Sequence, residues 1–269
     1  MAENKKTGAA ATKGKLRSEA IAHFYGISVA KDRARAKKLC IEAAELGDEV
    51  AIAQCAYQGW GTERNFEKAL EICRRCAAEG DCTAAVMLGR AYLYGSGVVK
   101  NYKKAVGWFR KAAHRGDLVG TFNLGICYDD GIGVVKDHGK AAQCFQKAAD
   151  AGNSSAQVML GLYYMKGRGV ERDLKRSMSW YQRASVLENI DGIFGVAFAY
   201  DEGLGVEKDA KKALEGYLKA AELGHVGAQF NLGVLYENGM GVEKSSKEAE
   251  KWYARAADQG YMKAQLKAS

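Results

Sequence analysis

The 269 residues carry 48% hydrophobic side chains, enough for a sizeable core, and no proline, so no helix is interrupted by one. The formal charge of +8 is unevenly placed. Residues 1–38 hold ten basic and three acidic residues, which leaves the rest nearly neutral and argues against a broad nucleic-acid surface on the body of the chain. The seven cysteines, at 40, 55, 73, 76, 82, 127 and 144, are odd in number and absent from the last 125 residues. That distribution argues against a disulfide framework and leads us to expect reduced thiols in an intracellular, cytoplasmic protein. The first residues lack the apolar run of a secretory signal, and no stretch approaches the roughly 20 apolar residues of a membrane span.

Residues 1–14 are mostly Ala, Lys, Gly and Thr without hydrophobic period, and are expected to form a disordered basic tail. A repeat then begins. Gly59, Gly95, Gly131, Gly167, Gly203 and Gly239 open copies of a Gly-x-Gly segment at a strict spacing of 36 residues. A period of that size marks stacked supersecondary units. An eroded first unit is marked by Gly26, Asp32 and Gly47, which precede Gly59, Asn65 and Gly80 by 33 residues. The three missing residues predict a shortened helix between Gly47 and Gly59.

Each unit predicts two helices. In the first, Ala84–Tyr92 places small and apolar residues at three- and four-residue spacing. Gly95 stops it in the left-handed conformation that glycine adopts at low cost. The second helix starts after Asn65, Asn101, Asp137, Asp173, Asp209 or Ser245, all side chains able to cap a first turn. Gly80, Gly116, Gly152, Gly224 and Gly260 end the second helices. Gly89, Gly125, Gly161 and Gly233 share one phase inside the first helix, with Ala197 in the remaining place. A mid-helix glycine costs roughly 1 kcal/mol relative to alanine, so its recurrence predicts a neighbouring helix in close approach. Trp108-Phe109, Trp180-Tyr181 and Trp252-Tyr253 are expected in the core, not as base-stacking platforms. Residues 261–269 predict a terminal half-repeat helix.

The pattern Ala156-x-x-x-Leu160-Gly161-x-x-Tyr164-x-x-Gly167-x-Gly169-Val170-x-x-Asp173, completed by Trp180-Tyr181, resembles the Sel-one-like repeat family, a class of α/α-solenoid related to tetratricopeptide repeats. Its closing segment is matched by Lys111-Ala112-Ala113-x-x-Gly116, Lys147-Ala148-Ala149-x-x-Gly152 and Lys219-Ala220-Ala221-x-x-Gly224. Over residues 15–260 the resemblance implies an all-α, right-handed superhelical solenoid of about seven two-helix repeats. It also implies an adaptor or scaffold whose first helices line a concave face, and it supplies no catalytic residues. Glu188 stands where other units have glycine, and the strain of a left-handed L-residue, about 1–2 kcal/mol, predicts a changed helix exit near 186–192.

Two charge columns stand out. Lys31, Arg64, Lys100, Lys136, Arg172, Lys208 and Lys244 occupy one phase, just before each cap. Asp129, Asp201 and Glu237 share another, with Asp130 and Glu202 beside them, at the C-terminal end of the first helix, where an acid opposes the helix dipole. The plain account is that the columns pair across the turn. The sharper one is an acidic strip that receives a basic peptide. Ser28-x-x-Lys31 matches the S-x-x-K of penicillin-recognising enzymes and Lys6-Thr7-Gly8 their K-T-G, but the order is reversed and no S-D-N accompanies them. Neither Cys73-x-x-Cys76 nor His23, His114, His138 and His225 carries metal-site spacing. The expected function is therefore a non-catalytic scaffold for other proteins or peptides, without cofactor, metal, small-molecule substrate or membrane insertion. A penicillin-recognising hydrolase, or nucleic-acid binding through the tail and the basic column, are the weaker alternatives.

Overall fold

The computed structural model describes residues 2–268, with side chains described for 11–267. Among the described residues it is all α-helical, with fifteen helices and no strand. The chain forms two compact units, residues 1–156 and 157–269, and the division falls inside one helix. The first unit contains α1 (Ala2–Tyr25), α2 (Arg33–Glu45), α3 (Glu49–Gln58), α4 (Phe66–Ala78), α5 (Cys82–Tyr94), α6 (Tyr102–His114), α7 (Leu118–Asp130), α8 (His138–Asp150) and the start of α9 (Ser154–Lys166). The second contains the rest of α9, α10 (Leu174–Val186), α11 (Ile190–Glu202), α12 (Ala210–Glu222), α13 (Val226–Asn238), α14 (Ser246–Asp258) and α15 (Met262–Ala268). The expected shortening lies in α3, which has 10 residues where α5 has 13.

The turn inside each repeat follows from its sequence. Gly95 adopts φ 76° and its N–H donates to Ala91 O, which closes α5. The backbone N–H of Asn101 then reaches back to Tyr92 O at 2.8 Å, while its side chain accepts from Lys104 N at 2.9 Å. One residue thus joins the end of one helix to the start of the next. A second set of caps opens the first helices: Asp48, Asp81, Asp117, Asn153, Asn189 and His225 all accept from the first turn.

The glycines inside the first helices lie under aromatic rings of the second. A carbon added at Gly89 would stand 2.5 Å from Phe109, at Gly125 2.8 Å from Phe145, and at Gly161 2.6 Å from Tyr181; Gly233 lies as closely under Tyr253. Where the first helix has Ala197, the second helix has glycine instead: a carbon on Gly216 would meet Ala197 Cβ at 2.8 Å. In α3 and α4 the two phases hold Ala53 and Cys73, both fully buried. Phe109, Trp180, Tyr181, Trp252 and Tyr253 are core residues, as expected, whereas Trp108 is only half-buried and packs against the core from its edge.

Two expectations are corrected. The tail expected over 1–14 belongs to α1, which is helical from Ala2 to Tyr25. And Glu188 keeps the regular exit. It takes φ 53°, and Glu188 N→Ser185 O (2.9 Å) and Asn189 N→Ala184 O (3.1 Å) repeat the bonds that Gly152 and Asn153 make to Ala149 and Ala148. The two turn bonds and the Asn189 cap hold the backbone, so the strain is borne locally and does not change the exit.

The helix α1 lies against the N-terminal caps of α3 and α5 in the first unit. Lys13 Nζ donates to Gly47 O, and Arg17 Nη1 lies 3.2 Å from Asp48 Oδ1 and 3.0 Å from Asp81 Oδ2. Arg90 Nη1 donates to Tyr25 Oη at 2.9 Å. Beyond α1, Ser154 N donates to Gly26 O and Ser28 N to Gly152 O, so the turn after α1 is pinned to the turn before α9.

A side chain forced under the ring by Gly89→Val is expected to destabilise the fold by about 1–3 kcal/mol. Gly107→Ala, in the same repeat, is expected to stabilise it by about 0.5–1 kcal/mol, because the added carbon meets nothing within 4 Å. Thermal melts of the two variants check both signs.

Candidate functional site

The seven basic residues of the turn column are all exposed. Their stems lie against the glycine that ends the preceding helix: a carbon added at Gly131 or Gly239 would stand 3.3 Å from Cβ of Lys136 or Lys244. Arg64 Nη2 bonds Gln58 O at 3.4 Å and Arg172 Nε bonds Met165 O at 3.1 Å, both at the ends of first helices. Lys31 Nζ donates to Ser155 Oγ at 2.8 Å. The ammonium of Lys100 stands 5.9 Å from the Tyr102 ring. A cation here meets the negative end of the helix dipole and its unpaired carbonyls. Arg64 and Arg172 thus have a structural reason to be basic.

The acids of the second column turn to the following helix. Asp201 Oδ2 accepts from the Tyr217 hydroxyl at 3.0 Å, and Glu237 Oε2 from the Tyr253 hydroxyl at 2.7 Å. Both tyrosines cover the small-residue phase, so burial and the adjoining carboxylate hold their hydroxyls well above the usual phenol range. Lys267 on α15 also reaches Glu237 at 2.9 Å, and this bond, with that of Tyr253, holds the carboxyl below its ordinary value. In the first unit the ring is Phe145, without a hydroxyl, and the buried Asp129 faces His138 Nδ1 at 2.9 Å instead. Asp130 and Glu202 remain exposed.

In the second unit three column residues come together. Asp201, Glu202 and Lys208 rim a cleft of about 490 Å³ whose apolar wall comprises Phe198, Val234, Leu235 and Met240, with Asn231 as a further polar group. The helices α11 and α13 position both kinds of group. Phe198 stands three residues before Asp201, hence on the same helix face, and Val234 occupies the phase of Phe198 one repeat later. The apolar half of this cleft is missed by charge columns alone; the signal for it is the apolar phase running beside the acids. Such a cleft can seat an apolar side chain and a cation together, since carboxylates lie next to a surface that excludes water.

Other candidate chemistry is dispersed. Ser28 Oγ contacts Ala151 O at 3.4 Å while Lys31 engages Ser155, so both serve the seam after α1. The Sγ of Cys73 contacts Met87 and that of Cys76 contacts Glu49, so the C-x-x-C pair faces two ways. All seven cysteines are free. Among the described residues no group of three or more His, Cys, Asp or Glu is arranged to hold a metal ion, and no helix is long and apolar enough to cross a membrane.

The repeats match the family model described as Sel1 repeat over residues 20–48, 49–81, 83–117, 119–153, 154–185, 190–225 and 226–261. Among solved structures, the chain is similar to c5321, a protective antigen of uropathogenic Escherichia coli strains displaying an SLR fold. The identity is 30% and the TM-score 0.72, over 99% of this chain and 58% of that one. The chain thus spans less than two thirds of the antigen's length. It is also similar to a Sel1 repeat protein from Oxalobacter formigenes, with 28% identity and a TM-score of 0.73, over 81% of this chain and 92% of that one. An immunity protein from Pseudomonas aeruginosa, at 18% identity and a TM-score of 0.54 over 78% of this chain and 82% of that one, shares the fold alone. No curated protein matches the sequence.

One cap gives a pH dependence. His225 Nδ1 accepts from Ala228 N at 3.0 Å, and its ring stacks on Phe194 with centroids 4.1 Å apart. Burial lowers its pKa, opposed by Asp191. The unfolded chain therefore takes up this proton first, near its ordinary value of about 6.5. The stability this residue contributes is present in full above that pH and is lost as pH falls below it towards the folded value. His225→Asn keeps an acceptor that does not titrate. Its melting temperature is expected to fall less than that of the parent between pH 7.5 and pH 5.

Proposed function

The chain belongs to the Sel1 repeat family, and from that premise we propose that it is a non-catalytic scaffold whose second unit captures a protein partner in the α11–α13 cleft. The segment captured carries a basic side chain next to an apolar one. The observation that carries this reading is the junction of Phe198, Val234 and Met240 with the carboxylates of Asp201 and Glu202. Asp201 gives one oxygen to Tyr217, which holds its carboxylate in place. Glu202 is exposed and supplies charge to an incoming cation. Lys208, on the same rim, disfavours a segment with two adjacent cations.

Arg64 and Arg172 of the basic column bond the carbonyls of the preceding helix, which disfavours the column as a nucleic-acid surface. Ser28 and Lys31 are engaged in the α1 seam, which disfavours the hydrolase reading.

A random peptide library displayed on phage tests the proposal with the intact chain as bait. Enriched peptides are expected to share a Lys or Arg beside a large apolar residue, with binding that weakens as salt rises. Phe198→Ala and Glu202→Lys should each lower their affinity about tenfold or more, while Asp130→Lys in the first unit leaves it unchanged. Peptides without a basic residue, or bound equally by Phe198→Ala, would overturn the cleft as the site.

A further inference from the structure

The only cysteine pair placed sulfur to sulfur among the described hydrogen bonds lies beneath α1. Cys40 on α2 and Cys55 on α3 bring their Sγ atoms to 3.8 Å. Both are buried, in a cluster with Ala20, Ala43 and Ala51 onto which Leu16 and Trp60 pack. Cys55 also lines an open cleft with Ile41, Ile52 and the turn from Gly61 to Asn65. Cys40 lines a smaller cavity under Arg17 and Phe24. The bond between the sulfurs lowers the pKa of Cys55, whereas that bond and burial raise the pKa of Cys40. Of the two sulfurs, that of Cys55 borders the open cleft and is the one an incoming oxidant reaches first.

We infer that Cys40 and Cys55 form a modification site for hydrogen peroxide, closing into a disulfide that ties α2 to α3. Peroxide is small and uncharged, which suits a sulfur that is only 5% exposed at the foot of that cleft. The Cys55 thiolate attacks one peroxide oxygen; the O–O bond breaks, Cys55 becomes a sulfenic acid and hydroxide leaves. The Cys40 sulfur then attacks the Cys55 sulfur. The S–S bond forms, the S–O bond breaks, and the Cys40 proton leaves with that oxygen as water. Two thiols are oxidised and one peroxide is reduced. The sulfurs must close from 3.8 Å to about 2 Å to form the bond. The other thiols have different neighbours: Cys73 faces Met87, Cys76 faces Glu49, and Cys82 faces Gly80 O. Cys82 and Cys144 are more exposed than the pair, so exposure and proximity make opposite predictions about which cysteines react together.

The test is treatment of the intact chain with a few equivalents of hydrogen peroxide, alkylation under denaturing conditions, and peptide mass spectrometry. The expected product is one intrachain link between the Cys40 and Cys55 peptides, two hydrogens lighter and reversed by dithiothreitol. The oxidised chain should melt several degrees higher, since the link constrains the unfolded chain. Cys40→Ser should abolish the link and leave a Cys55 sulfenic acid that dimedone traps; Cys40→Ala, measured beside it, separates this from a folding defect by its melting curve. A link through Cys82 or Cys144, irreversible acids at Cys55 without a link in the parent chain, or unreacted thiols at both positions would each overturn the proposal.

Discussion

The contact on which every repeat depends is the close approach of its two helices. In four pairs a glycine of the first helix lies beneath a phenylalanine or tyrosine of the second. A ring can reach that depth only where no side chain stands in its way, and the contact area it gains offsets the weaker helix propensity of glycine. The α11–α12 pair shows that the constraint is the combined volume, not the glycine itself. There Ala197 is accommodated by Gly216 on the facing helix, and Tyr217 still buries fully. The α3–α4 pair satisfies the same constraint with Ala53 and Cys73. Close-packed interiors tolerate redistribution of volume between neighbours far better than a change in its sum.

The same contact accounts for the acidic column. A tyrosine ring in that position carries its hydroxyl to the end of the first helix, where a buried donor needs an acceptor. Asp201 and Glu237 provide one. Their unfavourable place on the helix dipole is offset by this bond. Asp129, facing Phe145's repeat position without a hydroxyl, is served by His138. A column that suggests a ligand strip is thus first a set of partners for tyrosines and a histidine. In the second unit Asp201 and the neighbouring Glu202 additionally border an apolar wall. The first unit carries a different specialisation, since α1 joins the caps Asp48 and Asp81 through one guanidinium. Arg17 satisfies two carboxylates at neighbouring helix N-termini, an arrangement that no internal repeat can copy, because it needs a helix lying across the others.

Much of this was legible in the chain. Six glycines at a fixed spacing, six caps after them and a recurring small-residue phase set the number of helices, their ends and their partners. The 33-residue offset located the short helix α3. What was illegible is instructive. The role of α1 has no mark in the chain because its contacts fall on residues 31 to 65 positions away, and the Lys31–Ser155 bond beyond it spans 124, with no period to betray them. Glu188 keeps the regular exit because the two turn bonds and the Asn189 cap, which the strain of one left-handed residue does not reveal, hold it. The charge columns were visible as columns, but a sequence shows only that charges share a phase, not whether each faces solvent, a tyrosine or a neighbouring turn.

The sequence by itself determined local structure and repeat identity, because helix stops, caps and close-packed small residues act over a few ångströms between residues at fixed spacing. Tertiary structure alone decided which charges are structural, which two thiols meet, and where an apolar surface adjoins carboxylates. Those outcomes depend on distances between residues far apart in the chain, which burial and competing hydrogen bonds select. Two cysteines among seven have no mark in the sequence to distinguish them; they become a pair only once α2 and α3 are packed beneath α1.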